Sequence, residues 1–316
     1  MHSTARSNKK DRKNVSAKKN RMHYVLLGSL GNITKPLAKK IIAAGHQVTI
    51  VSSNRERQAA IEALGAAAAF GKVEDAAFLT RIFTGADAVY TMVPPVYHVN
   101  NWKEYIHQIG KNFAAAIQSS GVKKVVNLSS IGADLPEGCG PVSGIHYEEE
   151  ELNRLQGVDV LHLRPAYFYT NLLHNIGMIK NAGFLGNNFS ADATLVMVHP
   201  SDIAAVAADQ LLHLNFSGSS VLYIADDEKT SRQIASALGA AIGKPDLPYV
   251  EFSDADALKG ALDAGVPEEL ARNYVEMGAA LRTGIMIADY QQHKVPLGPI
   301  KLEDFAKEFA AAYAKA

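Results

Sequence analysis

Residues 23–44 read HYVLLGSLGNITKPLAKKIIAA, the pattern of a strand, a tight turn and a helix. The apolar run at 24–27 ends at a turn containing two glycines, after which apolar residues recur at helical spacing. Such a turn directs backbone N–H groups and the positive end of a helix dipole at an anion, and glycine lets a pyrophosphate approach closely. The stretch therefore predicts a nucleotide-phosphate site formed by Gly28, Leu30, Gly31, Asn32 and Ile33.

The spacing of this turn is G-x-x-G-x-x-T, whereas the dinucleotide fingerprint is G-x-G-x-x-G. Thr34 stands where the third glycine would pack the helix against the strand. The position of the turn, between an apolar strand and an amphipathic helix and ahead of a second strand at Gln47–Ser52, favours a phosphate site. A glycine turn in a βαβ unit that binds no phosphate is the alternative.

Length and composition set the class of protein. The chain has 316 residues, 47% of them apolar, which suffices for one large or two modest domains. No apolar run approaches the about 18 residues of a membrane span. The single Cys139 excludes an internal disulfide, and the histidines have no metal-ligand spacing. We expect a cytoplasmic globular protein that binds neither membrane nor metal.

Residues 1–21 differ from the rest of the chain. They hold five Lys and three Arg against one Asp and almost no apolar residues, so they predict a disordered basic tail. A basic tail could bind nucleic acid or act as a transit peptide, but an amphipathic apolar face is missing, so we expect neither role. Because Met22 precedes the first strand, the tail is also compatible with an upstream extension or a mis-assigned start.

The end of the second strand indicates the nucleotide that the site prefers. Folds specific for NAD place Asp or Glu here to bind the ribose 2′-OH, whereas a 2′-phosphate needs hydroxyls, amides and a cation. This chain has Ser52, Ser53, Asn54 and Arg55. The sequence therefore predicts NADP, with NADPH favoured over NADH. The alternative is that Arg55 and Arg57 form an exposed helix face.

Strands and helices alternate five times up to residue 130, which predicts a parallel sheet with helices on both faces. We expect a doubly wound α/β Rossmann domain at 22–164 and a smaller, interleaved C-terminal α/β lobe at 165–316. Strands near 194–198 and 221–225 are expected to return to the Rossmann sheet.

Several motifs together resemble the NmrA-like family of atypical short-chain dehydrogenases/reductases. Besides the phosphate turn, they are VPP at 93–95, NLSSIGA at 127–133, HYE at 146–148, LRPAYF at 163–168, HPSDIA at 199–204 and LEDF at 302–305. The resemblance extends over nearly all of the chain from Met22 onward.

The resemblance implies an NAD(P)-binding domain with a smaller lobe over the nicotinamide end. Some members are quinone or isoflavone-type reductases, and others bind the cofactor only to report redox state. The cofactor contacts implied beyond the turn are Val93, Pro94, Ser129, Pro165, Tyr167 and Phe168. The resemblance also implies that Tyr167, Phe168 and Asn171 begin the substrate wall. Core packing is an equally good interpretation of each aromatic residue.

Orthodox members of the superfamily carry Tyr-x-x-x-Lys on a helix, where lysine lowers the pKa of tyrosine and holds the ribose. Here the residue four after His146 is Glu150, and the residue four after Tyr147 is Glu151. A carboxylate can accept a ribose hydroxyl, so Glu150 is a candidate cofactor contact, but it disfavours a phenolate. His146, whose ordinary pKa lies near neutrality, is the candidate catalytic residue. The acidic run could equally be an exposed helix start.

Two functions stay open. The first is an NADPH-dependent reductase of a small conjugated carbonyl compound such as a quinone or enone, because hydride transfer does not require the Tyr-Lys pair. The second is a non-catalytic NAD(P)-binding redox sensor or regulator, which would act through a protein partner. The missing lysine favours the regulator, and the aromatic wall favours the reductase.

Overall fold

The computed structural model describes residues 21–96 and 98–316. The predicted disordered tail lies outside these residues, apart from its last member, Arg21.

The strand predicted at Gln47–Ser52 has these bounds. The strands are β1 His23–Leu26, β2 Gln47–Ser52, β3 Ala67–Phe70, β4 Ala88–Met92, β5 Lys124–Leu128, β6 Asp159–Pro165, β7 Tyr167–Phe168, β8 Leu185–Asn187, β9 Thr194–Val198, β10 Ser219–Ile224, β11 Asp227–Thr230 and β12 Tyr249–Glu251.

Helices alternate with these strands, and short 3₁₀ turns at Arg55–Arg57, Tyr169–Asn175 and Ile285–Ile287 connect some of them. The helices are α1 Thr34–Ala43, α2 Gln58–Glu62, α3 Ala76–Phe83, α4 Trp102–Ser120, α5 Val142–Asn153, α6 Ile176–Ala182, α7 Pro200–His213, α8 Ser231–Ala241, α9 Asp254–Asp263, α10 Glu268–Thr283, α11 Ala288–Gln292 and α12 Leu302–Lys315.

The large sheet is parallel and seven-stranded, in the order β10-β6-β5-β4-β1-β2-β3. Successive β1 residues point to opposite faces, so Tyr24 and Leu26 join the core beneath α1 and α7. Val25 and Leu27 join a second core beneath α3 and α4. The order reverses direction between β1 and β4, where doubly wound sheets bind their ligands. The doubly wound α/β prediction is confirmed.

The expectation for the strand at Thr194–Val198 is wrong. β9 pairs with β7 and β11 in a separate three-stranded sheet. The free edge of β6 is taken by β10, which pairs with it along all six residues of β10, as expected for the strand predicted near 221–225. Residues 195–198 are buried, so β9 has the apolar pattern of a central strand although it belongs to the smaller sheet.

The C-terminal part of the chain supplies two further features near the end of β6. A two-stranded parallel sheet joins β8 to β12, and α9 packs against α10. Among the described residues, no helix is long and apolar enough to cross a membrane.

Candidate functional site

Thr34, at the start of α1, packs against the glycine turn that follows β1. Gly28 has φ +95°, and a Cβ there would lie 2.5 Å from the Oγ1 atom of Thr34. Thr34 is buried, and its hydroxyl donates to the backbone oxygen of Leu27 at 2.8 Å. Threonine therefore holds the start of α1 against the end of β1 by a hydrogen bond, in the position where the fingerprint has its third glycine.

The start of α1 has the features that a pyrophosphate requires. Its N-cap residue, Ile33, makes no side-chain capping bond with any described residue, and its first turn holds no acidic residue. The first N–H groups of a helix have no partner within the helix, so they can bind an anion. Gly28, Ser29 and Gly31 line the adjacent cleft, which has a volume of about 490 Å³. The residues present fit the phosphates of a dinucleotide.

This nucleotide cleft extends along the carboxyl ends of β1, β2, β3 and β4. Of the predicted contacts, Gly28, Gly31, Ser53 and Pro94 line it. Asn32 is exposed on the turn, whereas Leu30 and Ile33 pack on the core. Val93 packs beside Trp102.

The arginine at the end of β2 that enters the cleft is Arg57, two residues after the one predicted. Asn54 accepts a hydrogen bond from the backbone N–H of Glu56 and so begins the 3₁₀ turn. This turn stacks the Arg55 guanidinium 5.2 Å from the ring centre of Phe70. It also brings Nη1 of Arg57 to 3.0 Å from the Ser29 hydroxyl, and Arg57 and Lys72 both line the cleft. An Asn cap ahead of R-x-R is the sequence signal that could have identified Arg57.

On α5, the glutamate that contacts the end of β5 is Glu149. The Ser129 hydroxyl donates to Glu149 Oε1, and Arg164 donates two bonds to the carboxylate, at 3.0 and 2.7 Å. All three side chains are buried. The paired carboxylate fixes the orientation of the Ser129 hydroxyl at the end of β5. Sequence reasoning named Ser129 and missed both of its charged neighbours.

Glu150 and His146 lie on the outer part of the same helix. Glu150 is 45% exposed and accepts a bond from Arg154 at 3.2 Å. His146 donates Nδ1–H to the backbone oxygen of Ala133 at 2.9 Å, and its Nε2 lies 3.7 Å from Glu150. Neither residue lines the nucleotide cleft. Tyr147 is exposed, with its ring against that of His107, so it does not occupy the position of a catalytic tyrosine in a cavity.

Glu148 is fully buried between α4 and α5. A Cβ added to Gly110 of α4 would lie only 2.7 Å from the Cα of Glu148, so the two helices approach closely here. Neither carboxyl oxygen has a hydrogen-bond partner among the described residues. Burial, and secondly the nearby carboxylate of Glu149, raises the pKa of Glu148 well above its ordinary value, and the side chain of Asn127 offsets only part of this rise. The native fold therefore favours the protonated acid.

Two further cavities lie where β5 and β6 end. The smaller, of about 150 Å³, is lined by Ser130, Ala166 and the predicted substrate-wall residues Tyr167, Phe168 and Asn171. The larger, of about 510 Å³, lies between this wall and helices α9 and α10. Both cavities are lined by Tyr167 and Asn171, and burial raises the pKa of the Tyr167 hydroxyl to about 12. Tyr167 is therefore a neutral hydrogen-bond donor at physiological pH.

Comparison with known proteins agrees with this geometry. The sequence model of a family described as NAD(P)H-binding matches residues 28–213. A (4-alkanoyl-5-oxo-2,5-dihydrofuran-3-yl)methyl phosphate reductase of Streptomyces griseus is 26% identical over 260 residues, covering 82% of this chain and 87% of that protein.

Solved structures have the same fold. An NADPH-dependent quinone oxidoreductase of Escherichia coli complexed with NADPH superposes with a TM-score of 0.78 at 20% identity, covering 90% of this chain and 99% of the other. The triphenylmethane reductase of Citrobacter complexed with NADP(H) gives 0.75 at 19% identity, covering 91% and 99%.

Proposed function

The chain belongs to the NAD(P)H-binding family, and from that premise we propose that it is an NADPH-dependent reductase of a small conjugated carbonyl compound, such as a quinone or enone. The observation that carries the proposal is the arrangement of its cavities. The nucleotide cleft lies at the ends of β1–β4, and a cavity with an aromatic wall lies at the ends of β5 and β6. Because the strands are parallel, both lie at the same edge of the sheet.

The preference for NADPH over NADH is supported by the charges around the cleft. Ser53, directly after β2, supplies a hydroxyl, and Arg57 and Lys72 add two cations. The carboxylate that lines the cleft, Glu74, accepts a bond from Tyr105 at 3.0 Å. A 2′-phosphate on the ribose would be bound by such a set of groups, whereas a bare 2′-hydroxyl would gain little from the cations.

The residues of the chain orient the reactants and exclude water. When bound, the reduced nicotinamide supplies a hydride. Pro165 would pack beside the ring, and the Ser129 hydroxyl, held by Glu149, would accept a hydrogen bond from its carboxamide. Tyr167 and Asn171 would donate to the substrate carbonyl, and Phe168 would shield it from water. The proton comes from water, because His146 lines neither the nucleotide cleft nor the cavities at the ends of β5 and β6.

Two relatives support this reaction class. The Streptomyces protein is a (4-alkanoyl-5-oxo-2,5-dihydrofuran-3-yl)methyl phosphate reductase, and the Escherichia coli protein is an NADPH-dependent quinone oxidoreductase. The competing proposal is a regulator that binds NADPH without chemistry and acts through a protein partner. It is favoured by α5, where glutamates stand in place of the lysine that follows an orthodox tyrosine.

Oxidation of NADPH by the purified protein against a panel of quinones and enones tests the proposal. We expect turnover with at least one acceptor, and calorimetry should give tighter binding of NADPH than of NADH. Demonstrable NADPH binding without turnover above the protein-free rate for any acceptor would contradict the reductase and support the regulator.

A further inference from the structure

The lobe cavity, the 510 Å³ space between the aromatic wall and helices α9 and α10, has an uncharged lining. Among its described lining residues there is no Lys, Arg, Asp or Glu. The polar members are four asparagine amides, two tyrosines and His174, and the others are apolar or glycine. We propose that this cavity binds the tail of the substrate, and that the substrate is an uncharged conjugated carbonyl compound bearing an apolar chain. The inference rests on the proposed function.

The cavity is placed to receive a tail and not the reacting carbonyl. It shares Tyr167, Asn171, Met277 and Leu281 with the smaller cavity at the ends of β5 and β6. A carbonyl bound in the smaller cavity would therefore direct its substituent past Tyr167 and Asn171 into the larger one. The volume of the lobe cavity lies within the range that holds small organic ligands, about 300–1,000 Å³.

A cation next to the cavity is already neutralised. Arg282 donates to the backbone oxygen of the lining residue Asn188. The same guanidinium makes two bonds with the carboxylate of Asp254, at 2.7 and 2.9 Å, and Asn188 Nδ2 donates to Asp254 at 2.9 Å. A phosphate or carboxylate entering the cavity would lose its hydration without gaining a counter-ion, which disfavours charged substrates.

Substitutions on α9 can change the length of substrate tail that the lobe cavity accepts. Ala257 and Ala261 of this helix line the cavity, and α9 has no buried residue. A larger side chain at Ala261 can therefore extend into the cavity without displacing packed core. Ala255, on the same helix, is exposed and does not line the cavity, so it provides a matched control position.

The test compares kcat/KM for acceptors that differ only in their substituent, measured with NADPH-saturated protein. Hexyl-benzoquinone should exceed methyl-benzoquinone at least about tenfold, because the added methylenes are removed from water. Hydroxymethyl-benzoquinone should exceed its phosphate monoester by about the same factor. Ala261→Phe should reduce the hexyl-to-methyl ratio at least about fivefold, and Ala255→Phe should leave it unchanged.

A positive charge placed at His174, which lines the lobe cavity, should favour the phosphate monoester. His174→Lys should raise kcat/KM for the phosphate monoester at least about threefold relative to the neutral alcohol, and Ala255→Lys should not. Equal rates for monoester and alcohol in the unaltered protein, or the same hexyl-to-methyl ratio in Ala261→Phe and Ala255→Phe, would overturn the inference while the reductase stands.

Binding of hexylphenol, which cannot be reduced, separates this inference from the proposed function. Calorimetry of the NADPH-loaded protein should show binding that Ala261→Phe weakens and Ala255→Phe does not. That result without turnover of any quinone would contradict the reductase and still support an apolar, uncharged ligand in the lobe cavity. Absence of hexylphenol binding would overturn the inference.

Discussion

The nucleotide end and the substrate end of this molecule are built in different ways. In our proposal the nucleotide end depends on residues 27–34, consecutive in the chain, whose backbone N–H groups and glycine conformation would bind the pyrophosphate common to all dinucleotides. The substrate end is assembled from side chains far apart in the chain, such as Tyr167, Asn188, Ala261 and Met277. The first end therefore depends on local backbone geometry, and the second on long-range packing.

Gly28→Ala should have the largest effect, a loss of NADPH affinity, because it disturbs the backbone conformation of the glycine turn at the nucleotide end. The new Cβ would collide with the Thr34 hydroxyl at a φ of +95°. We expect NADPH affinity to fall at least about 100-fold in calorimetry, since strain at such a position costs about 1–3 kcal/mol before the collision is counted.

Gly45→Ala is the matched control for this substitution. Gly45 has φ +92°, but a Cβ there would meet no atom within 4 Å. It should lower the free energy of unfolding by about 1 kcal/mol and leave NADPH affinity unchanged. Equal losses of NADPH affinity in the two variants would mean that backbone strain alone, and not the fit of the turn, controls binding.

Arg57→Ala should have the next largest effect, on the choice of nucleotide. A charge-assisted contact is worth about 1.5–3 kcal/mol, so the preference for NADPH over NADH should fall at least about tenfold. Arg55→Ala should change it less, because this guanidinium lies over Phe70 and does not line the cleft. Competition titrations with both nucleotides measure the ratio. A larger loss in Arg55→Ala would restore the interpretation drawn from the sequence alone.

Glu148→Gln, in the packed pair of helices α4 and α5, should stabilise the protein at high pH. The pKa of Glu148 is raised in the native state, so the unfolded chain releases this proton first as the pH rises. Stability is therefore lost as the pH rises above the unfolded pKa, about 4.3, towards the native value. Thermal unfolding at pH 8 should show a higher Tm for the variant, with the difference gone by about pH 4. An equally large difference at both pH values would refute the titration of Glu148.

Asp254→Asn should have the smallest effect, on the substrate end. Its bonds to Arg282 and Asn188 lower the pKa of Asp254 to about 2. The stabilisation is present above the unfolded pKa and lost as the pH falls through about 2. Because both partners are partly exposed, solvent screening keeps the loss below about 1 kcal/mol near neutral pH. Denaturant titration at pH 7 and pH 2 checks this, and a loss that persists at pH 2 would indicate a packing role.

The features that were predictable from the sequence are those set by local pattern. The alternation of strands and helices up to residue 130 predicted the large parallel sheet, and residues 23–44 predicted the strand, turn and helix with which it begins. The strand at Thr194–Val198 was located correctly but placed in the wrong sheet. Its position depends on which edge of β6 is already occupied by β10, and a single strand pattern does not contain that information.

The remaining site residues depend on geometry over one or two turns of chain. Arg57 replaces Arg55 in the cleft because a 3₁₀ turn, begun by Asn54, rotates the two side chains to different sides. Glu149, and not Glu150, meets Ser129 because its carboxylate is bonded by Arg164 from β6. A run of four glutamates gives no indication of which member faces the sheet.

Transfer of deuterium tests the reductase most directly. NADPH carrying deuterium at nicotinamide C4 would be incubated with the protein and an enone acceptor, and the product analysed by mass spectrometry. We expect one deuterium per reduced product, from only one of the two C4 faces, and much less labelled product from Gly28→Ala at the same NADPH concentration. Unlabelled product, or no product from NADPH-saturated protein, would contradict it.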